Sequence, residues 1–180
     1  QDPQAISVRV ERINVALSQF DGLFAGFGGA GNDFILIDNR ENELSLSRNQ
    51  ISKLCHRQRG IGADGLIYLC HPRGAGDWAW QFYNSDGSDA EMCGNGARCF
   101  ARYVMDRFES PEIISFETAC GIINARVIDD LVTVDLTDPS GLVLEETIMT
   151  NDGGKTVHSI NTGVPHTVLY VSDADKAMVE

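Results

Sequence analysis

The sequence predicts an α+β fold in which many short strands surround one long helix, and three observations lead to this prediction. Most apolar segments are short and bounded by glycine, proline or other turn residues, as strands are. One long segment, residues 94–107, has its apolar residues at helical spacing. The strand-like segments follow one another without the regular alternation of strand and helix that a βαβ protein shows.

The individual elements follow from local periodicity and turn chemistry. The segments that predict strands are residues 6–19 (one strand or two short ones), 35–37, 66–70, 78–83, 113–117, 122–128, 131–136, 156–160 and 167–171. Helices are predicted over residues 47–57, with Ser47 as the cap, and over residues 94–107, where the spacing is amphipathic. The glycine-rich stretches 26–31 and 60–65 predict turns, and Asp129-Asp130 predicts a hairpin turn.

A domain boundary is predicted where turn residues accumulate late in the chain. Residues 137–152 contain Pro139, Gly141 and several acidic residues, and Asn151-Asp152-Gly153-Gly154 follows. We therefore expect a first domain over residues 1–148 and the incomplete start of a second over residues 149–180. Residues 31–37 and 163–169 share a pattern of glycine, two turn residues, a ring and a strand. On this stretch alone a coincidence between two strand entries is favoured, and the alternative is an internal repeat.

Composition excludes several classes of protein. The 180 residues carry 14 Lys and Arg against 26 Asp and Glu, a net charge of -12, which argues against binding to nucleic acids or to anionic membranes. No apolar run approaches the ~18 residues that a membrane span needs. The five cysteines have irregular spacing and no C-x2-C pair, which favours reduced thiols over disulfides or a zinc site. With no secretory signal pattern at the first residues, a cytoplasmic protein is expected.

The segment that carries chemistry is residues 84–99, where a loop enters the long helix at Cys93. Free N–H groups and the positive end of the helix dipole stabilise a thiolate at such a position. Gly94 and Gly96 leave those N–H groups open to an anion, and Asn95 adds a side chain that both donates and accepts. The alternative is that Cys93 is a small buried apolar residue, as we expect of the other four cysteines.

Other familiar sites find no support. Residues 26–31 do not form a dinucleotide-binding G-x-G-x-x-G pattern before a helix, and no phosphate-binding G-x-x-x-x-G-K-[ST] loop is present. The four histidines lack metal-ligand spacing, and the acidic residues at 86–91 do not match a calcium-binding EF-hand. We therefore expect no metal site.

Residues 84–99, together with Gly31-Asn32-Asp33-Phe34 and residues 60–66, resemble the N-terminal half of the diaminopimelate epimerase family. The resemblance extends from about Phe24 to Val171, and the run Cys-Gly-Asn-Gly-Ala-Arg-Cys at residues 93–99 is its most specific part. It implies a pseudo-symmetric two-domain fold, with strands wrapped around a central helix in each domain and the second domain truncated here. It also implies an active site between the domains and no pyridoxal phosphate or other cofactor.

The resemblance implies a two-base reaction that interconverts LL- and meso-diaminopimelate, a precursor of lysine and peptidoglycan. One cysteine thiolate removes the α-proton, and a second cysteine delivers a proton to the opposite face. The implied residues are Cys93 (catalytic), Asn32, Asn84, Gly94 and Asn95 (substrate-binding) and His166 (supporting). Arg98 is expected to stabilise the helix or an ion pair. Many relatives have an asparagine in place of Val164, and the second cysteine is expected beyond Glu180.

Two other functions remain open from the sequence. One is a cofactor-independent racemase of another amino acid, histidine-specific or proline-racemase-like, and the other is a non-catalytic half-domain that binds a ligand or partner. The 180 residues alone are expected to be inactive, because inversion needs an acid and a base on opposite faces. The expected partner is the small-molecule substrate, and a homodimer is left open.

Overall fold

The computed structural model describes residues 6–13 and 24–177, with side chains from residue 26 onward. The chain divides into two compact units, Gln1–Leu136 and Thr137–Glu180. The division falls ahead of the boundary predicted after residue 148, because the strand that spans that position belongs wholly to the second unit.

The first unit is a closed barrel of eight strands. They are β1 (Ile6–Ile13), β2 (Phe24–Gly29), β3 (Asn32–Asp38), β4 (Gly65–Cys70), β5 (Trp78–Asn84), β6 (Ile113–Thr118), β7 (Gly121–Ile128) and β8 (Leu131–Val134). Two helices, α1 (Arg48–Cys55) and α2 (Gly94–Arg107), complete the unit. Pairing between β1 and β8 closes the barrel, so the sheet has no free edge between its first and last strands.

Two parallel pairs determine where the helices lie. The pairs β3–β4 and β5–β6 are parallel, whereas the other neighbouring strands of the barrel are antiparallel. Parallel strands cannot be joined by a hairpin and need a longer crossover. The first crossover contains α1 and the second contains α2.

Strand β3 is apolar on both faces because both faces are buried. Phe34 and Leu36 join the main core inside the barrel, while Ile35 and Ile37 join a smaller cluster outside it with Ile51 of α1. Because side chains alternate between the faces of a strand, burial on both faces requires a continuous apolar run. α1 begins at a capping box, in which Ser47 and Gln50 each accept a hydrogen bond from the other's backbone N–H. The prediction of Ser47 as the cap is confirmed.

The helix α2 lies at the centre of the barrel. Eight of its fourteen residues are buried, and it packs against strands that include β2, β3, β7 and β8. Phe100 is fully buried, with its ring centroid 4.7 Å from that of Phe116 and 5.8 Å from that of Trp80. The predicted arrangement of strands around a central helix is confirmed. The predicted amphipathic spacing is also confirmed, because apolar residues such as Phe100 and Val104 are buried while Asp106 is exposed.

One difference from the sequence-based predictions concerns the glycine-rich stretch at residues 26–31. Residues 26–29 belong to strand β2 rather than to a turn. The turn consists of Ala30 and Gly31, whose φ angles of 52° and 92° are the positive values that a tight type I′ hairpin loop requires. The remaining strand predictions of the first unit hold to within a few residues, and residues 14–19 lie outside the described part of the chain.

The second unit is a three-stranded antiparallel sheet of order β11-β10-β9. Its strands are β9 (Ser140–Thr150), β10 (Gly153–Asn161) and β11 (Pro165–Val168), followed by a short 3₁₀ helix, Ala174–Lys176. Local sequence patterns did not predict β9, because Pro139, Gly141 and the acidic residues are typical of a turn. Gly141 adopts a φ of 63° within this strand, and all eleven β9 residues are exposed. In the described part of the chain, neither α1 nor α2 is long and apolar enough to cross a membrane.

The enclosure of α2 gives a test of the fold. Replacing Phe100 with Ala removes a fully buried ring from the barrel, and we expect the free energy of unfolding to fall by about 3–5 kcal/mol. The same truncation at Ile122, which is 48% exposed on β7, should cost about 1 kcal/mol or less. Urea unfolding followed by tryptophan fluorescence reports on the first unit, because Trp78 and Trp80 both lie there. Equal losses in the two variants would contradict a core centred on α2.

Candidate functional site

The beginning of α2 places Cys93 among free backbone N–H groups. Cys93 is the N-cap residue, with φ -149° and ψ 116°, and its Sγ accepts a hydrogen bond from the N–H of Gly96 at 3.4 Å. Its thiol is free and half-buried. A sulfur at an N-cap satisfies one of the helix's unpaired donors and lies where the helix dipole favours negative charge.

Gly94 and Gly96, both near the beginning of α2, differ in how much room a side chain would have. A Cβ on Gly96 would lie 3.3 Å from Cδ1 of Ile67 and 3.6 Å from the Phe34 ring, so a side chain there would require a small shift of Ile67. A Cβ on Gly94 would meet nothing nearer than 3.5 Å, from Leu136. A side-chain carbon at Gly94 would therefore make ordinary van der Waals contact with Leu136 and, at 3.7 Å, with the Arg98 guanidinium.

A line of hydrogen-bonded side chains crosses from α2 to the beginning of β3 and ends at Asp64, directly before β4. We call Arg98, Asn95, Asn32 and Asp64 the amide relay. The guanidinium of Arg98 donates to Oδ1 of Asn95, Nδ2 of Asn95 donates to Oδ1 of Asn32 at 2.7 Å, and Nδ2 of Asn32 donates to Oδ2 of Asp64 at 3.0 Å. Two of the predicted substrate-binding residues, Asn32 and Asn95, are thus in direct contact.

Arg57 anchors the outer end of the amide relay. It donates to both carboxylate oxygens of Asp33, at 2.8 Å and 2.7 Å, and to Oδ1 of Asp64 at 2.7 Å. Burial alone would raise the pKa of Asp64, but the hydrogen bonds that it accepts from Asn32, the Asp33 backbone and Arg57 outweigh burial and hold that pKa below its usual value. Asp64 therefore stays ionised at neutral pH. Arg57 stays fully protonated, because its guanidinium is hydrogen-bonded to the carboxylates of Asp33 and Asp64.

Arg98 is a buried cation at the inner end of the amide relay. Its side chain is 7% exposed, and its Nε has no hydrogen-bond partner among the described residues. Burial lowers the pKa of Arg98, as expected for a guanidinium removed from water. Arg98 also lies close enough to Cys93 for their charges to interact. In the described structure its hydrogen-bonding partner is an amide rather than the carboxylate of the ion pair that the sequence analysis allowed.

The other two predicted site residues, Asn84 and His166, are not members of the relay. Asn84 ends β5 opposite Gly65, which is the end of the barrel where β3 and β4 begin, and its Nδ2 donates to Oγ of Ser88 at 3.0 Å. His166 is exposed on β11 of the second unit, opposite Ile160. The structure therefore brings Asn32, Asn95 and Cys93 to one end of the first unit, with Asn84 on the neighbouring strand end.

The residues that the sequence analysis did not assign to the site are Asp33, Arg57 and Asp64. Asp64 stands in the predicted turn 60–65, and Asp33 follows Asn32 directly, so both were within segments already singled out. Their pairing with Arg57 depends on the parallel register of β3 and β4, which periodicity does not reveal. Within the described residues, no group of three His, Cys, Asp or Glu side chains has the arrangement of a metal site.

Comparison with known proteins identifies relatives of the whole site region. The family model for diaminopimelate epimerase matches residues 24–142. The diaminopimelate epimerase of Hydrogenobaculum sp. is 42% identical over 161 residues, which cover 84% of this chain and 58% of that protein. The diaminopimelate epimerase of Aquifex aeolicus is 43% identical over 163 residues, with the same two coverages.

A solved structure has a similar fold. A hydroxyproline epimerase from Agrobacterium vitis has a TM-score of 0.60 at 14% identity, over 94% of this chain and 52% of its own. At that identity the likeness concerns the fold alone. The chain spans a little over half the length of the two curated relatives described above. The family model, the relatives and the barrel around α2 agree, and the chain belongs to the diaminopimelate epimerase family.

Proposed function

We propose that this chain is the first part of a cofactor-independent epimerase that interconverts LL- and meso-diaminopimelate, with Cys93 as one of two thiol acid/bases. The observation that carries the proposal is the position of the Cys93 sulfur at the N-cap of α2, where it is partly exposed and accepts a hydrogen bond from the N–H of Gly96. Membership of the diaminopimelate epimerase family supports the choice of substrate.

The proposed reaction begins when the Cys93 thiolate takes the α-proton of the substrate. The electron pair of the broken C–H bond moves toward the substrate carboxylate, where negative charge develops. The N–H groups at the beginning of α2 and the amide of Asn95 stabilise that charge through short-range hydrogen bonds and the helix dipole. A second thiol on the opposite face then donates a proton to the α-carbon, which inverts the centre and leaves that sulfur as the thiolate.

Burial argues against the other cysteines as the base. Desolvation raises the pKa of Cys99 to about 12 and that of Cys55 to about 11, so both are thiols at neutral pH. Burial also raises the pKa values of Cys70 and Cys120. Cys93 combines partial exposure with an N–H donor to its sulfur.

We further propose that the second unit begins a second, pseudo-symmetric domain that supplies the opposing thiol. Gly31 and Gly163 both have left-handed φ angles, 92° and 100°, shortly before β3 and β11. Each of these strands is also the third strand of an antiparallel three-strand meander, β1-β2-β3 or β9-β10-β11. In this proposal His166, which follows Gly163, supports the site, and the product serves lysine and peptidoglycan synthesis.

Thiol reactivity provides the first test. Treatment of the folded protein with iodoacetamide at neutral pH should label Cys93 first, because alkylation requires an accessible thiolate. Cys55 and Cys99 should react only after denaturation, because both are at most 3% exposed. Peptide mapping by mass spectrometry measures each site. Labelling of Cys99 as fast as Cys93 would contradict the assignment.

Replacing Cys93 with Ser in the complete protein tests the chemistry. A serine hydroxyl is far less acidic than a thiol, so we expect kcat to fall by at least about a hundredfold. The measurement is incorporation of deuterium at the α-carbon of diaminopimelate in D₂O. Cys120→Ser, at a partly exposed thiol in the β6–β7 turn, is the matched control and should keep the wild-type rate.

The same assay separates the proposed function from its alternatives. The 180-residue chain alone should show no inversion, because it lacks the second thiol of the proposal. Turnover of proline or histidine in preference to diaminopimelate would favour a racemase of another amino acid. Absence of turnover by the complete protein with all three substrates would overturn the proposed function.

A further inference from the structure

The two ends of the amide relay determine which groups within it donate hydrogen bonds and which accept them. An arginine guanidinium can only donate hydrogen bonds, and an ionised carboxylate can only accept them. Arg98 at one end therefore requires the oxygen of Asn95 to face it, and Asp64 at the other end requires the nitrogen of Asn32 to face it. Between them, Asn95 must donate to Asn32, as it does at 2.7 Å.

This direction matters because a free asparagine amide has no preferred orientation. Its oxygen and nitrogen differ little in size, so rotation by half a turn exchanges an acceptor for two donors at little steric cost. A site for a carboxylate needs donors facing the ligand. With Arg98 and Asp64 in place, Asn32 and Asn95 each use one N–H and one oxygen within the relay, and each retains a second N–H.

The surroundings of the relay support its use for an anion. Arg98 is a buried cation whose hydrogen-bonding partner is a neutral amide, an arrangement that a nearby negative ligand would stabilise. The relay also lies beside the N-terminal N–H groups of α2, where the helix dipole favours negative charge. Arg57 keeps Asp64 in place from the outside, through a guanidinium that is also bonded to both oxygens of Asp33.

We propose that Arg98 and Asp64 are positioning residues that orient the Asn95–Asn32 amide pair so that its remaining N–H groups face the carboxylate of the substrate. Neither residue takes part in proton transfer. This inference rests on the proposed function for the identity of the ligand, whereas the orientation of the amides rests on the hydrogen bonds alone.

Kinetics of the complete protein test the positioning role. Arg98→Met and Asp64→Asn should each raise KM for diaminopimelate about tenfold and also lower kcat several-fold, because the amide pair holds the carboxylate before proton transfer and stabilises the charge that develops on it. Arg98→Lys keeps a buried cationic donor and should restore most of the affinity. A purely structural role would instead predict loss of stability in all three variants, with no recovery of affinity in Arg98→Lys.

Asp38, at the opposite end of β3 from Asn32, provides a matched control. Asp38, the last residue of β3, accepts a two-point ion pair from Arg40 at 2.9 Å and 2.7 Å, which resembles the pairing of Asp33 with Arg57. Asp38→Asn should leave KM and kcat unchanged. If Arg98→Met and Asp64→Asn raise KM no more than Asp38→Asn does, the positioning role is overturned, while the wild-type rate still supports the proposed function.

The orientation of the amides can be measured without turnover. In ¹⁵N-labelled complete protein, the side-chain NH₂ groups of Asn32 and Asn95 should exchange slowly with solvent, and Asp64→Asn should accelerate that exchange about tenfold or more. Unchanged exchange would show that Asp64 does not hold the amides and would overturn the inference. If the wild-type protein shows no epimerase activity, this measurement still decides whether the relay is fixed.

Discussion

The closure of eight strands around α2 is the constraint on which the rest of this structure depends. When a barrel surrounds a helix, only the two ends of the helix are exposed. The unpaired N–H groups at the N-terminus of α2 therefore lie at one end of the barrel. The loop that leads into α2 follows β5, and Cys93 is its last residue before the helix. The parallel pairing of β3 with β4 places Asn32, Asp33 and Asp64 at the same end. The geometry of the candidate site is therefore a consequence of barrel closure.

Polar side chains at this end of the barrel are held by charges rather than by burial alone. Asp33 and Asp64 are bridged by Arg57, and the amides of Asn32 and Asn95 are held between Asp64 and Arg98. Hydrogen bonds between charged and neutral groups are shorter and stronger than those between neutral groups. A network of this kind keeps its side chains in one arrangement before a ligand arrives, which is what a site for a small charged substrate needs.

The protein as a whole is acidic, with a net charge of -12, yet the candidate site collects hydrogen-bond donors. The free N–H groups of α2, the buried guanidinium of Arg98 and two asparagine amides all lie near Cys93. Such a local concentration attracts a carboxylate, and it also favours the charge that develops when an α-proton leaves. The same features that would bind the substrate in our proposal would thus also assist its reaction.

Sequence alone determined the α+β class, the central helix with its bounds, Ser47 as a cap and Cys93 as a helix N-cap, because these follow from local periodicity and capping chemistry. It predicted neither strand β9 nor strand β2, since Pro139, Gly141 and the glycines at 26–29 have local preferences that strand pairing overrides. The tertiary structure decided which polar residues meet. The contacts of Arg57 with Asp33, and of Asn95 with Asn32, join residues far apart in the chain, and the physical reason is strand register and barrel closure, which no local pattern encodes.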